Sequence, residues 1–234
     1  VADLGRGELK TFYVASPEPF DAGGETVHLV DHYLDLDEAP APPRQYYTRT
    51  YDFDTVFAAR GCHVDCDFCS VPFLHGRKTR FRPVADVVAD IDTLGPMFYL
   101  LDDTVFGRPA HHAYYAELYD GLAALKTRRL WTGQANLDAA ATEEGREVIR
   151  KAARSGLVYA PIGMESLNPD VLTKAGTVAK HGVRGAADPV ARMREHIRFI
   201  QDQGIIISAW FTVGYEEDTP ETFYDALAFC EEMN

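Results

Sequence analysis

Five short apolar or β-branched runs, each followed by a stretch of helical periodicity, set the strongest limit on what this chain can become. The runs are TVFAA (55 to 59), MFYLL (97 to 101), RLWTGQA (129 to 135), LVYAPIG (157 to 163) and IIISAWFTVG (205 to 214). Helical patterns follow them in PVADVVADIDTLG, AYYAELYDGLAALK, TEEGREVIRKAARSG, PVARMREHIRFIQDQG and TPETFYDALAFCEEMN. Their ends carry the expected chemistry. Pro83 suits a first helical turn that runs to near Gly95, Thr142 is placed as an N-cap with Gly156 as the stop, and Thr219 caps a helix opened by Pro220 and Glu221. Nearly wholly apolar strands alternating with helices predict a parallel sheet covered by helices through right-handed crossovers. Five units are too few to close an eight-unit barrel, which leaves a partial barrel or an open sheet lacking one edge.

In either architecture the active site lies at the carboxyl ends of the strands. The polar residues cluster there: Arg60 to Cys69 after the first run, Asp102 and Asp103 after the second, Gln134 and Asn136 after the third, Glu165 and Ser166 after the fourth, and Tyr215 to Asp218 after the fifth. Any one of them is as readily a helix cap or loop residue, but their joint arrival after five apolar strands predicts one shared opening. The paired carboxylates Asp102 and Asp103 are not expected to act on one substrate atom, because adjacent strand residues point to opposite faces.

Residues 1 to 53 are different in kind. They are rich in Pro, Asp and Tyr, with β-like KTFYVA and TVHLV joined by the turn signals DAGGE and DEAPAPPR, and they read as a linker or arm before a main domain over 54 to 234. Val1 and Asn234 look like cut ends of a longer protein. With 46% apolar residues in 234, the chain is long enough to bury a substantial core. No apolar run of eighteen and no basic-then-apolar leader occurs, so a soluble cytoplasmic protein is expected. A net charge of -13 opposes a large nucleic-acid footprint. HGRKTRFRP is the local exception: Arg77, Lys78, Arg80 and Arg82 form either a solvated loop or a set of cations meeting an anionic group beside a metal.

That metal is suggested by RGCHVDCDFCS, which places Cys62, Cys66 and Cys69 within eight residues. The fourth cysteine, Cys230, falls in the last helix with Leu227 and reads as an ordinary buried thiol. Structural zinc favours four ligands in two separated pairs. Here His63 is too near Cys62 to share its ion, and only His75 offers a fourth donor; His111 and His112 read as exposed loop residues. An iron–sulfur cube takes one thiolate per iron, so three thiolates leave one iron open to an outside molecule.

The spacing C-x3-C-x2-C with Phe68 before the last cysteine resembles the signature of the radical S-adenosylmethionine superfamily. That resemblance implies a partial (β/α)6 TIM-like barrel, cut here after five β/α units, with a [4Fe-4S] cluster on Cys62, Cys66 and Cys69. It also implies that S-adenosyl-L-methionine completes the open iron and is split there by one electron. RGC-x3-C-x-FCS, GRKTRFRPVADVVADI, FYLLDD, LWTGQANLD, IGMESLNPDVLTKAG and FTVGYEEDTPETF are similar to the branch whose members carry an N-terminal cobalamin-binding domain. Two features depart from that branch: His63 stands where Pro is common, and the chain lacks a D-x-H-x-x-G cobalamin motif. A cobalamin domain is therefore expected before Val1.

Carried over residue by residue, the resemblance places Phe68 against the adenine, Asp102, alone or with Asp103, at the amino group of S-adenosylmethionine, Gln134 with Asn136 at ribose or substrate, and Glu165 at the cofactor. It implies a small-molecule substrate, a reductant such as flavodoxin or ferredoxin, and methyl transfer or another change at an unactivated carbon. The alternatives are an RNA methylthiotransferase-type enzyme, and a non-catalytic zinc-binding module held by the three cysteines and His75.

Overall fold

In the computed structural model the five runs become five strands of one parallel sheet; the structure describes residues 53 to 234 and the short segments 12 to 14, 27 to 29, 35 to 38 and 44 to 46. Two strands in the arm, β1 (Phe12–Val14) and β2 (Val27–Leu29), pair in parallel with each other. The domain then opens with β3 (Asp54–Val56) and β4 (Ala59–Arg60), followed by the short helix α1 (Val71–His75), β5 (Arg80–Phe81) and α2 (Val84–Asp92). Regular units follow: β6 (Met97–Leu100) with α3 (His112–Ala123), β7 (Leu130–Gly133) with α4 (Glu143–Ser155), and β8 (Leu157–Glu165) with α5 (Pro169–Lys174) and α6 (Pro189–Gln201). β9 (Ile206–Phe211) and α7 (Pro220–Met233) complete the chain.

The sheet order is β3-β6-β7-β8-β9, with every pair parallel. Strands added in one direction without reversal put all the helices on one face when each crossover is right-handed, and that is a partial barrel rather than a doubly wound sheet. Strand alternation separates the two faces. Phe98, Leu100 and Trp131 are buried toward the helices. There the Trp131 ring stacks on Tyr119 at 5.2 Å and on Phe98 at 6.1 Å, and Tyr119 stacks on Tyr115 at 5.9 Å. Such pairs add about 0.5–1.5 kcal/mol each beyond area burial. On the other face Thr55, Tyr99, Thr132, Tyr159 and Ile206 lie side by side in register and line the lumen.

Several boundaries behave as their residues dictate. The Thr142 hydroxyl accepts from the Gly145 N–H at 3.1 Å, and Gly156 ends α4 at φ 113°. A Cβ on Gly156 would lie 2.0 Å from the Arg129 carbonyl oxygen, so only glycine fits that turn. Thr219 and Thr222 exchange hydrogen bonds as a capping box at the start of α7.

Four expectations are corrected. The run TVFAA does not continue as one strand to residue 59: β3 stops at Val56, because the Ala58 and Ala59 amides turn to the Asp102 carboxylate at 2.7 and 2.9 Å. His111 and His112 are buried, not exposed, in the first turn of α3. His111 lies edge-on to Phe81 with ring centroids 5.0 Å apart, and burial lowers its pKa to about 4. Cys230 and Leu227 are exposed, since α7 turns Phe229 and Met233 inward instead. The basic stretch divides: Arg77 and Lys78 are exposed, as in a solvated loop, while Arg80 and Arg82 are internal anchors. Arg77 pairs with Asp65, Arg80 donates to the His75 carbonyl at 3.2 Å, and buried Arg82 holds the Phe57 carbonyl at 2.9 Å and Asp90 at 3.2 Å.

No helix among the described residues is long and apolar enough to cross a membrane. β9 forms one edge of the sheet, and a cavity of about 670 Å³ lies along it, lined by Ile197, Ile205, Ile207, Phe229 and Met233. It is a groove between strand and helix that Cys230 also lines, and none of Cys62, Cys66 and Cys69 lines it.

Candidate cluster and cofactor site

The three-cysteine loop is a closed excursion from the top of the barrel. Its two ends are tied by β4 and β5, which pair antiparallel through Ala59 with Phe81 and Arg60 with Arg80. Two carboxylates from the end of β6 hold its base. Asp102 Oδ1 accepts the Ala58 and Ala59 amides, Asp102 Oδ2 accepts the Tyr115 hydroxyl at 3.1 Å, and Asp103 Oδ2 accepts the Gly61 amide at 2.7 Å. Gly61 is required where it stands: φ is 100°, and a Cβ would lie 2.9 Å from the Lys78 carbonyl oxygen.

This arrangement redistributes the roles of the acidic pair. Asp102 has the strand parity of Phe98 and Leu100, so it points toward the helices and is buried with its oxygens occupied by protein donors. Burial raises its pKa to about 6 against the pull of the two amides and Tyr115. Asp102 is thus a clamp on the cluster loop, not a group facing the opening; Asp103, with the parity of Tyr99, is on the lumen side.

Cys66 is buried and Cys62 and Cys69 are half-buried, all three as free thiols. Burial raises the Cys62 pKa, with Asp103, Cys69 and Asp138 pushing the same way against the Val64 N–H. Burial also lifts Cys66 to about 11, opposed by the Lys180 ammonium and reinforced by Cys69, Cys62 and Glu165. The thiols sense one another, so they share one neighbourhood, and iron entering it would displace their protons. Among the described residues no three His, Cys, Asp or Glu side chains close on a common point, as a single ion would require. A cube makes no such demand, because each thiolate takes a different iron. His63 does not complete the set: its Nε2 lies 2.8 Å from Asp138 Oδ2. The donor set therefore fits a [4Fe-4S] cluster held at three corners by Cys62, Cys66 and Cys69.

Opposite the cysteines, β8 ends in Glu165, the one non-glycine residue with positive φ among the described residues, at 61°. That strained backbone is locked on both sides: Thr212 donates its amide to the Glu165 carbonyl and its hydroxyl to Glu165 Oε2, both at 2.9 Å, while Lys180 Nζ lies 2.5 Å from Oε1. The Lys180–Glu165 pair occupies the space over Gly163, where a Cβ would come within 2.4 Å of Glu165 Oε1 and 2.8 Å of Lys180 Nζ. Glu165 is not the cap of α5; the Asn168 side chain is, accepting from the Asp170 amide at 2.9 Å.

The remaining expected residues fall around the same opening. Phe68 is 52% exposed on the cysteine loop, so it is not a core aromatic. Gln134 carries the strand parity of Thr132 and is half-buried on the lumen side, and Asn136 is buried with its Nδ2 lacking a protein partner. Of the two β9 aromatics, Phe211 packs on Phe229 of α7, which leaves Trp210, 52% exposed, on the other face in register with Gly163. Lys180, Thr212 and Asp138 were missed from the sequence. Lys180 lies in an aperiodic loop, and nothing in its neighbours announces that its side chain is buried.

The Radical SAM superfamily matches residues 56–230, which span the cysteine loop and the sheet from the last residue of β3 through β9. This chain belongs to the radical SAM superfamily. Radical SAM membership sets aside the zinc module and carries with it a [4Fe-4S] cluster and S-adenosylmethionine. Bacteriochlorophyllide d C-12(1)-methyltransferase of Chlorobaculum tepidum is 28% identical over 235 residues, covering 97% of this chain and 46% of its own length. Hopanoid C-2 methylase of Rhodopseudomonas palustris is 23% identical, over 89% of this chain and 39% of its own length. The structure of the cobalamin-dependent S-adenosylmethionine radical enzyme OxsB with aqua-cobalamin bound superposes with a TM-score of 0.72 at 19% identity, covering 97% of this chain and 33% of that one. This radical SAM chain thus spans less than half the length of each of these relatives, and the last comparison speaks for the fold alone.

Proposed function

We propose that this chain is the cluster-bearing part of an enzyme that reductively cleaves S-adenosylmethionine and modifies an unactivated carbon, by methyl transfer with cobalamin. The observation that carries the reading is the set of three free cysteines, Cys62, Cys66 and Cys69, on one loop closed by β4 and β5 at the mouth of a five-strand partial barrel. The printed activities of the two relatives above, a methyltransferase and a methylase, favour methyl transfer over other outcomes.

When bound, the cluster supplies one electron, drawn from a flavodoxin- or ferredoxin-type reductant, to the sulfonium at its open corner. The chain's own residues bind and orient. Glu165 and Asp103 offer carboxylates to an α-ammonium group, where charge-assisted hydrogen bonds are strongest. Phe68 presents an exposed ring to the adenine, and Gln134 with the unpartnered Asn136 amide serves ribose hydroxyls or a small-molecule substrate. The lumen row of Tyr99, Thr132, Tyr159 and Trp210 supplies the wall against which that substrate lies. Residues 1 to 53 lead, in this reading, from a cobalamin-binding domain encoded before Val1. The net charge of -13 counts against an RNA methylthiotransferase.

Anaerobic reconstitution with iron and sulfide tests the core of the proposal. A brown protein whose cluster spectrum changes on addition of S-adenosylmethionine is expected; a colourless protein, or a spectrum that the sulfonium leaves untouched, overturns it. The methyl-transfer part is tested separately, by sequencing the region encoded before Val1 for a cobalamin-ligating motif.

A further inference from the structure

Between α5 and α6 the chain runs through residues 175 to 188 without helix or strand, yet much of this strap is buried. Ala175, Thr177 and Val183 are at most 2% exposed. The strap lies across the cysteine loop: the Ala175 carbonyl accepts the Asp67 amide at 3.3 Å, and a Cβ on Gly176 would come within 2.9 Å of the Asp65 carbonyl oxygen. Farther along, the Lys180 carbonyl accepts the Asp138 amide at 3.0 Å, and the Lys180 ammonium reaches Glu165. The strap thus borders both the cysteine loop and the carboxylate at the opening.

Two histidines hold its inner turn. His181 of the strap and His196 of α6 are both 0% exposed, and His196 Nδ1 lies 2.9 Å from the His181 carbonyl oxygen, so Nδ1 carries the proton and donates. Gly182 allows the close approach: a Cβ there would lie 3.2 Å from His196 Cε1 and 2.9 Å from Ala141 Cβ. His196 Nε2 is left without a hydrogen-bond partner among the described residues, and so are both ring nitrogens of His181. An imidazole so placed is stable only while neutral, because a charge on it would meet neither water nor an acceptor. The charged groups around the pair do not relieve this. Burial and then the Lys180 ammonium lower the His181 pKa to about 3, with the Met164 carbonyl of β8, which already accepts the Ser166 amide at 2.8 Å, pulling the other way. Burial likewise lowers the pKa of His196, against the His181 carbonyl and Glu195 and with the help of Arg192 on the same helix and Arg146 on α4. Asp138, whose backbone packs on Gly182, has its carboxylate turned to His63. Leucine or phenylalanine would fill either place without partnerless nitrogens, so packing does not explain the imidazoles.

We propose that His181 and His196 form a proton-sensitive latch: while neutral they hold the strap over the cysteine loop, and protonation of either ring lets the strap swing off. The inference rests on burial and contacts in the strap and not on the reaction proposed above. In the open strap both rings return to water, where an imidazole takes its proton near pH 6.5. The open form therefore binds protons that the closed form cannot, so acid favours opening. The latch is at full strength above about pH 6.5 and weakens as the pH falls from there toward 3. From pH 7.5 to 5.5, His181 alone raises the opening constant by about tenfold. Opening is local. It takes the acceptor from the Asp67 amide and the cation from Glu165, and so loosens the cysteine loop without unfolding the sheet. Once the strap is open, the rings are charged in the folded and unfolded chain alike and add no slope to global unfolding.

The test is amide hydrogen exchange of the reconstituted full-length holoprotein, read by mass spectrometry over residues 175 to 183 at pH 7.5 and 5.5, corrected for intrinsic exchange and referred to α2. Wild-type protection of the strap is expected to fall by about tenfold on acidification. His181→Phe keeps a ring without a proton site and is expected to lose most of that fall; adding His196→Asn, which keeps a donor for the carbonyl of residue 181, removes the rest. Protection that does not change with pH in the wild type, or that falls as far in the double variant, overturns the latch. Cluster iron is expected to pass to the chelator ferrozine at pH 5.5 more slowly in His181→Phe than in the wild type, and equal rates overturn the link to the cysteine loop. Where the variants fail to fold, the wild type decides through exchange of the ring C2 hydrogens. Those of His181 and His196 are expected to exchange at pH 7.5 about tenfold or more slower than that of half-buried His75, and equal rates overturn the latch. A protein that assembles no cluster overturns the reading of the thiols and leaves the strap measurement standing, so the two failures are distinguishable.

Discussion

The two flanks of the cysteine loop are built on opposite electrostatics. Around Cys62 the neighbours are acidic: Asp103 holds the Gly61 amide, Asp138 holds His63, and both carboxylates add to the burial that raises the thiol's pKa. Around Cys66 the neighbours are a buried ion pair, in which Lys180 opposes that rise and Glu165 adds to it. Two cysteines of identical chemistry thus meet different charges, carboxylates beside Cys62 and an ammonium with its paired carboxylate beside Cys66. The acidic flank anchors the loop to the sheet by hydrogen bonds to its backbone, whereas the cationic flank touches the opening.

The sharpest way to break this comparison is at the thiols. Cys66→Ala and Cys62→Ala are each expected to abolish the cluster, read as loss of bound iron and of the brown absorbance after reconstitution; full iron content in either variant would mean the three corners are not what they appear from the loop. Next in size is the anchor. Asp102→Ala leaves the Ala58 and Ala59 amides buried without an acceptor, at about 1–3 kcal/mol per group, so a loss of about 3–5 kcal/mol in urea unfolding of the full-length protein is expected. An effect below 1 kcal/mol would remove Asp102 from that role.

The same carboxyl predicts a pH dependence. Its folded pKa of about 6 lies above the value of an unfolded Asp, so the folded protein keeps a proton that the unfolded chain has released. Its contribution to stability is therefore complete below about pH 4 and is lost as the pH climbs through 6, about 3 kcal/mol for a shift of roughly two units. Unfolding measured across that window should show this downward slope in the wild type and lack it in Asp102→Asn.

Smaller effects sharpen the cationic flank. Gly163→Ala places a methyl group against both Glu165 Oε1 and Lys180 Nζ. It is expected to weaken S-adenosylmethionine binding to the holoprotein by about tenfold, ~1.4 kcal/mol, in an equilibrium titration; unchanged binding would detach the pair from the ligand. Smallest is Asp138→Asn, which keeps the hydrogen bond to His63 while removing one negative neighbour of Cys62. Iron uptake by the metal-free protein at neutral pH should quicken by about two- to threefold, because the Cys62 thiol then ionises more readily.

The elements of this fold were legible because each rests on a local rule. Apolar runs of strand length, Thr142 before a helix and Gly156 after it need no distant partner to be read, and they appear in the structure where the sequence places them. The cysteines were legible for the same reason, as a spacing within one loop. Asp102 was not. Its position at a strand end was visible, but its face depends on where β6 starts, and a shift of one residue exchanges Asp102 for Asp103. His111 and His112 were misplaced because burial of a short turn is decided by what packs over it, here Phe81 across the loop base.

Local order along the chain, then, determined the alternation of strands and helices and the cluster of three thiols, because hydrophobic period, capping and ligand spacing act between residues a few positions apart. The placement of Lys180 against Glu165, and the turning of Asp102 away from the lumen to the Ala58 amide, were decided only by the tertiary structure. Those contacts join residues 15 and 44 positions apart, and the burial that gives their charges meaning exists only once the sheet has formed and the strap lies across the loop.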